Sequence, residues 1–245
     1  MRFIVMHKVD AHMESGKPPS HAIIQNMGQF IGGELKKGTF KDGAGLHRSA
    51  KRVRVRSHGA RIDVTRGPYE GENELVTSLA MIKTKSQDEA VEHARRLASA
   101  IGDCEIEVGL VVEGWDLTGS PKPASVEHDR FLLFLKGDAA SEAGRARGDR
   151  AKIDTVLDAM KRDGVLLSAG SLEPTASGAR LASQPKEKRT WTDGPFAESK
   201  ELVAGFSIIE VENKADAIAW ADRYAAILDG NEVDVRVVKG ETFAA

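Results

Sequence analysis

Cys104 is the single cysteine of the chain, so no internal disulfide can form and nothing points to a stapled, secreted fold. Aromatic residues make up only 5%, too few for the stacking platforms that hold single-stranded nucleic acid. Neither sign of charge dominates. The 35 basic and 37 acidic residues leave a formal net charge of −2, too even for a protein whose main partner is a polyanion. No apolar run approaches the ~20 residues of a membrane span. The opening Phe3-Ile4-Val5-Met6 meets His7-Lys8 before it could serve as the apolar region of a signal peptide. Metal-ligand spacing is missing too, with no cysteine pair and no two histidines four apart on a helix. Asp42-Gly43-Ala44-Gly45 does not lead from a strand into a helix, which argues against a nucleotide loop. These absences describe a cytoplasmic protein with no membrane, nucleic-acid, metal or cofactor partner.

What the chain does contain is itself, nearly twice. Thr65-Arg66-Gly67-Pro68-Tyr69 with Glu74-Leu75-Val76 returns as Thr192-Asp193-Gly194-Pro195-Phe196 with Glu201-Leu202-Val203, at a constant offset (192 − 65 = 127; 201 − 74 = 127). Phe3-Ile4-Val5-Met6 reappears as Phe131-Leu132-Leu133-Phe134. A repeat this long means two whole domains rather than a solenoid. The 245 residues divide into residues 1–115, a Gly/Pro-containing linker at 116–128, and residues 129–245.

Each copy reads as a strand, a helix, strands, a helix and a strand. In the first, a strand over Arg2 to Lys8 precedes a helix capped by Ser20, with Ile23, Ile24, Met27, Phe30, Ile31 and Leu35 on its inner face and Gly38 as its stop. A hairpin follows. With His58-Gly59 as its turn, Val55 faces Ile62 and Val53 faces Val64, while Arg52, Arg54, Arg56 and Arg61 form a solvated outer row. The alternative for that row is an anion-binding stripe. Ser86 and Glu89 make a capping-box pattern for a second helix ending at Gly102, and Asn213 caps its counterpart. The order is that of a ferredoxin-like βαββαβ unit with an added hairpin. Such a sheet has helices on one face only, so the fold class expected is α+β, two tandem repeats packed sheet to sheet as an intramolecular pseudo-dimer.

The run from Thr192 through Asp193-Gly194-Pro195-Phe196-Ala197-Glu198-Ser199-Lys200-Glu201-Leu202 to Gly205-Phe206 resembles the signature of the DGPF branch of the YCII-related proteins. Asp216-Ala217-Ile218-Ala219-Trp220-Ala221 and Val233-Asp234-Val235-Arg236 extend the likeness. In the first copy Gly45-Leu46-His47-Arg48-Ser49 is similar to the family's Gly-Leu-His-Pro-Ser segment, with Arg48 for the proline. The resemblance implies a dimeric α+β barrel and a distant kinship with enzymes of the muconolactone-isomerase type. The first copy departs from the signature, with Arg66 where the second has Asp193, and Glu173-Pro174 stands where a second Leu-His-Pro would fall.

Four residues stand out as site candidates. His47 titrates near neutrality and starts a loop, which suits proton transfer. Asp193 sits in a turn whose chemistry accounts for every residue: the carboxylate caps the turn, Gly supplies positive φ, Pro fixes the exit. Its other reading aims the carboxylate into a cleft between the sheets as a general base. Arg66 makes the two equivalent positions opposite in charge, suiting it to orient a substrate carboxylate, or else marks a copy that has drifted. His7, at the end of the first strand, could line the same cleft. Together they describe a small-molecule-binding protein with an anionic ligand, for which homo-oligomers are a further expectation. Two expectations follow, a cofactor-independent isomerase or lyase acting on a small carboxylate, or a non-catalytic binding or regulatory module.

Overall fold

Strand β1 (Arg2–Lys8) and the short helix α1 (Ala11–Glu14) lead into α2 (His21–Lys36), where the Ser20 side chain accepts the Ile23 amide as N-cap. Strands β2 (Phe40–Leu46), β3 (Arg52–His58), β4 (Arg61–Arg66) and β5 (Val76–Thr84) precede α3 (Gln87–Ile101) and β6 (Cys104–Val112). Ser86 caps α3, and Gly102 ends it at φ 92°. After α4 (Gly114–Thr118) the order recurs as β7 (Asp129–Lys136), α5 (Ala139–Glu142), α6 (Arg150–Arg162), β8 (Leu166–Leu172), β9 (Ala179–Leu181), β10 (Trp191–Asp193), β11 (Val203–Glu210), α7 (Lys214–Leu228) and β12 (Val233–Lys239). These elements come from a computed structural model that describes residues 1–145, 147–182, 189–196, 199–228 and 230–239.

Strand pairing crosses between the halves. β1 runs antiparallel to β11 and β12, and β7 antiparallel to β5 and β6. β2 joins β11, and β8 joins β5. Two seams, β2 with β6 and β8 with β12, close the ring β1-β11-β2-β6-β7-β5-β8-β12 into a barrel. The β3–β4 hairpin extends β6, and the β9–β10 ribbon extends β12. The expectation that each copy builds its own sheet is therefore corrected. The two halves offer similar alternating strand edges, so a strand can pair as well with the other half's partner as with its own.

Alternation along each strand divides the core into three layers. Ile4, Met6, Leu132, Phe134, Met81 and Phe206 fill the barrel interior. Phe3 and Val5 face the other way, under α7, and Phe131 and Leu133 face α3 and α6. In α2 the expected inner face holds at Met27, Phe30 and Ile31 and fails at its last position. Leu35 is exposed, and Glu34 takes the buried place because the Trp220 indole, Lys37 and Arg223 all donate to its carboxylate. The hairpin turn is Gly59-Ala60, not His58-Gly59, so Val55 pairs with Val64 and Val53 with Arg66. A shift of two residues keeps Val53 and Val55 on the buried face.

Candidate binding pocket at the charged end of the barrel

β1, β2, β7 and β8 finish at the end of the barrel where β5, β6, β11 and β12 begin, as the pairs Val76 with Lys136 and Lys8 with Val203 require. Interior-facing positions that are apolar along the barrel become charged there. Lys8 follows Ile4 and Met6 on the inner face of β1, and Lys136 follows Leu132 and Phe134 on that of β7. Both lysines are buried.

On the Lys136 side the charges close on one another. The carboxylate of Glu74 accepts from Lys136 and, at 2.7 Å, from Arg54. Lys136 Nζ also lies 3.5 Å from Glu107, whose other oxygen accepts from Arg52 at 2.9 Å. Burial alone would raise the Glu107 pKa, but Lys136 and Arg52 outweigh it and hold the group at about 2. The Arg54 guanidinium stacks 3.9 Å over the Tyr69 ring, and Arg56 reaches Glu72. The loop from Gly67 to Glu74 thus covers β3. Half of the basic row is not solvated: Arg52 and Arg54 are buried and neutralised by Glu107 and Glu74, while Arg61 is exposed as expected.

On the Lys8 side the same pattern lacks one carboxylate. Asp234 stands where Glu107 does (107 + 127 = 234), held in two-point contact by Arg180 at 2.6 and 2.9 Å. The Arg180 guanidinium stacks over Phe196 as Arg54 does over Tyr69. Lys8 Nζ lies 3.5 Å from Asp234, matching Lys136 and Glu107. Its second contact is only the Glu74 carbonyl at 3.5 Å. Glu201, the counterpart of Glu74 (74 + 127 = 201), is exposed and leaves that place to a pocket.

The two seams are latched by guanidinium groups supplied from opposite strands. Arg52 of β3 donates to the His47 carbonyl at 2.6 Å and the Val203 carbonyl at 2.8 Å. Arg236 of β12 donates to the Glu173 carbonyl at 2.5 Å and the Val76 carbonyl at 3.4 Å. Each faces a glycine. Arg52 pairs with Gly109, and a Cβ on Gly178 would meet Arg236 Cδ at 2.9 Å.

The pocket has a volume of about 550 Å³, within the range of small-molecule sites. Lys8 contributes the buried cation, and Tyr69 and the exposed Lys200 also line the pocket; the Tyr69 hydroxyl itself is shut from solvent, with no hydrogen-bond partner among the described residues. Burial, and then the nearby Glu107 charge, raise the Tyr69 pKa, so this phenol stays protonated. Of the acids lining the pocket, Asp10 caps α1 and Glu14 accepts the Ser49 amide and hydroxyl. Glu232 accepts from Ser199. Glu70 and Glu201 are exposed at the rim.

None of the four residues singled out in the sequence lines this pocket. His7 points away from the barrel interior, with Nδ1 2.8 Å from the Tyr224 hydroxyl. Burial lowers its pKa to about 4, so the ring is neutral. His47 sits beyond β2 with Nε2 3.3 Å from Asp116. Burial, then Lys51, lowers its pKa. Arg66 is exposed and binds Asp88 at 2.5 Å and Gln87 at 3.1 Å. Asp193 is 79% exposed and takes Lys214 at 2.7 Å. The charge reversal between Arg66 and Asp193 is compensated at the start of the following helix, because Gln87-Asp88 becomes Lys214-Ala215 (87 + 127 = 214). The expectation that both turns aim into a shared cleft is corrected accordingly.

Gly67 and Gly194 are also explained differently. Neither has positive φ; both precede cis prolines. A Cβ on either would fall 1.8 Å from a carbonyl oxygen, Ser49 for Gly67 and Thr175 for Gly194. Close approach, not turn conformation, demands glycine there. Ala197 and Glu198 of the signature lie outside the described residues.

A closed α+β barrel with a charge-lined pocket at one end defines the class of protein. The match to a family narrows it: residues 130–240 fit the YCII-related domain, so the C-terminal half of this chain is a YCII-related domain. Comparison with curated proteins and with solved structures finds no match. Among the described residues no helix is long and apolar enough to cross a membrane, and no group of His, Cys, Asp or Glu is placed to hold a metal ion.

Proposed function

We propose that this protein binds a small polar molecule in the pocket over Lys8. One observation carries the reading: two corresponding sides of the barrel end hold similar charges, and the side with an exposed Glu201 in place of the inserted Glu74 opens onto a pocket. A cavity of this size, with charged side chains among its lining and a buried cation beside it, is a natural ligand seat. The barrel interior behind it is filled with apolar side chains, so the ligand enters the end of the barrel rather than its length. Residues 1–115 and 129–245 are read as one ancestral ferredoxin-like unit, duplicated and fused through 116–128, whose strands exchange partners.

The test is ligand-induced stabilisation with and without a filled pocket. Ala11 lines the pocket on the exposed face of α1, so Ala11→Phe occupies the space without touching the charge network. A compound from a small-metabolite set that raises the melting temperature of the wild type and not of Ala11→Phe supports the proposal. Hits that stabilise both proteins equally would refute it. Proton-transfer chemistry is the second reading, favoured by the His47–Asp116 contact beyond β2 at this end of the barrel. It requires His47→Ala to abolish turnover of any compound so found while leaving its binding intact.

A further inference from the structure

We infer that the ligand carries a carboxylate, which at Lys8 takes the place that the Glu74 carboxylate takes at Lys136. This rests on the pocket reading above and adds the chemical class. The protein supplies its own template for the bound state. Lys136 holds one carboxylate at 3.5 Å, that of Glu107, and a second in direct contact, that of Glu74. Lys8 holds its first at 3.5 Å, that of Asp234, and in place of the second has a carbonyl at 3.5 Å. The Lys8 side chain is 1% exposed and lines the cavity. With Asp234 at 3.5 Å as its anionic partner, the buried Lys8 ammonium has no counterpart to the direct carboxylate contact that Lys136 makes, and a charge-assisted hydrogen bond from it is among the stronger polar contacts.

The acids around the pocket shape this preference rather than oppose it. Asp10, Glu14 and Glu232 already accept hydrogen bonds from the protein. Glu70 and Glu201 outnumber Lys200 at the exposed rim, which disfavours a second negative charge on the ligand's outer end. The class is thus a small monocarboxylate, inserted carboxylate first.

Calorimetric titration with butyrate, with the neutral butanamide of the same shape, and with succinate tests the assignment. Butyrate is expected to bind at least about tenfold more tightly than butanamide, as a charge-assisted contact requires, and more tightly than succinate. Lys8→Met should remove the butyrate preference. The comparison of butyrate with butanamide on the wild type needs no variant and stands if Lys8→Met does not fold. Butanamide binding as well as butyrate, or succinate more tightly than butyrate, would overturn the monocarboxylate class while leaving the pocket reading intact, provided Ala11→Phe still blocks them. Butyrate binding equally to wild type and Ala11→Phe would overturn the pocket reading itself.

Discussion

The two sides of the barrel end differ by the position of one side chain. Glu74 turns inward and is fully buried between Lys136 and Arg54, whereas Glu201 stays in solvent and Lys8 faces a cavity. Much around them corresponds: Glu107 and Asp234, Arg54 and Arg180 with their aromatic lids, and a seam arginine on each side, Arg52 and Arg236, supplied from opposite strands. On the proposed reading, one side of the barrel end is plugged by the protein's own carboxylate and the other is left for a ligand.

The largest expected effect tests that division by stability. Lys136→Met leaves Glu74 and Glu107 buried without the ammonium between them, and breaking a buried ionic group this way costs about 3–5 kcal/mol. Lys8→Met should cost less than half as much in the same denaturant titration, because Arg180 still grips Asp234 at two points. Equal losses would break the comparison.

Next come features that both sides share. Gly67→Ala and Gly194→Ala each drive a methyl into a backbone carbonyl, Ser49 or Thr175, and each should lose about 1–3 kcal/mol of stability, the range for overpacked sites. A large difference between the two would show that the open side tolerates what the plugged side does not.

The pH dependence separates the pocket from the helix-side core. The folded state holds the His7 pKa near 4, below its ordinary value, so the unfolded chain binds the proton more readily between those values. Stability is then full above pH ~6.5 and declines as pH falls toward 4, by as much as about 3 kcal/mol for a shift of this size. His7→Leu should flatten that part of the unfolding profile without changing ligand binding. The depressed Glu107 pKa acts lower, its contribution being lost as pH falls from about 4.5 through 2. The smallest effects belong to the turns. Arg66→Ala and Asp193→Ala remove exposed ion pairs and should each change stability by less than about 1 kcal/mol, with no effect on butyrate binding.

How far the sequence carries can be argued from particular residues. The helix caps Ser20, Ser86 and Asn213 were legible because capping is local chemistry. Hairpin faces were legible too, though its register was two residues off, because alternation specifies the face while the turn specifies the pairing. The exchange of strands between halves was not, since similar edges carry no record of which copy they join. Alternation also misled at Arg52 and Arg54: a polar face on a flanking strand reads as solvated unless the loop over it is known, and here Gly67 to Glu74 lies across it. Lys8 and Lys136 were missed although the signal was present. Both close an apolar run at equivalent positions (8 + 128 = 136), where a strand facing water on its last residue would look the same. The compensation of Arg66 and Asp193 by Asp88 and Lys214 was readable in the repeat spacing but became visible only once the turn was seen to touch the helix start.

The most direct test is to observe the two buried ammonium groups separately. In 15N-edited NMR of the lysine side chains, addition of butyrate should shift the Lys8 ammonium signal, with saturation, and leave Lys136 unmoved. Shifts of equal size at both lysines, or at Lys136 alone, would contradict the claim that one side of the barrel end is sealed by the protein's own carboxylate and the other awaits one from outside.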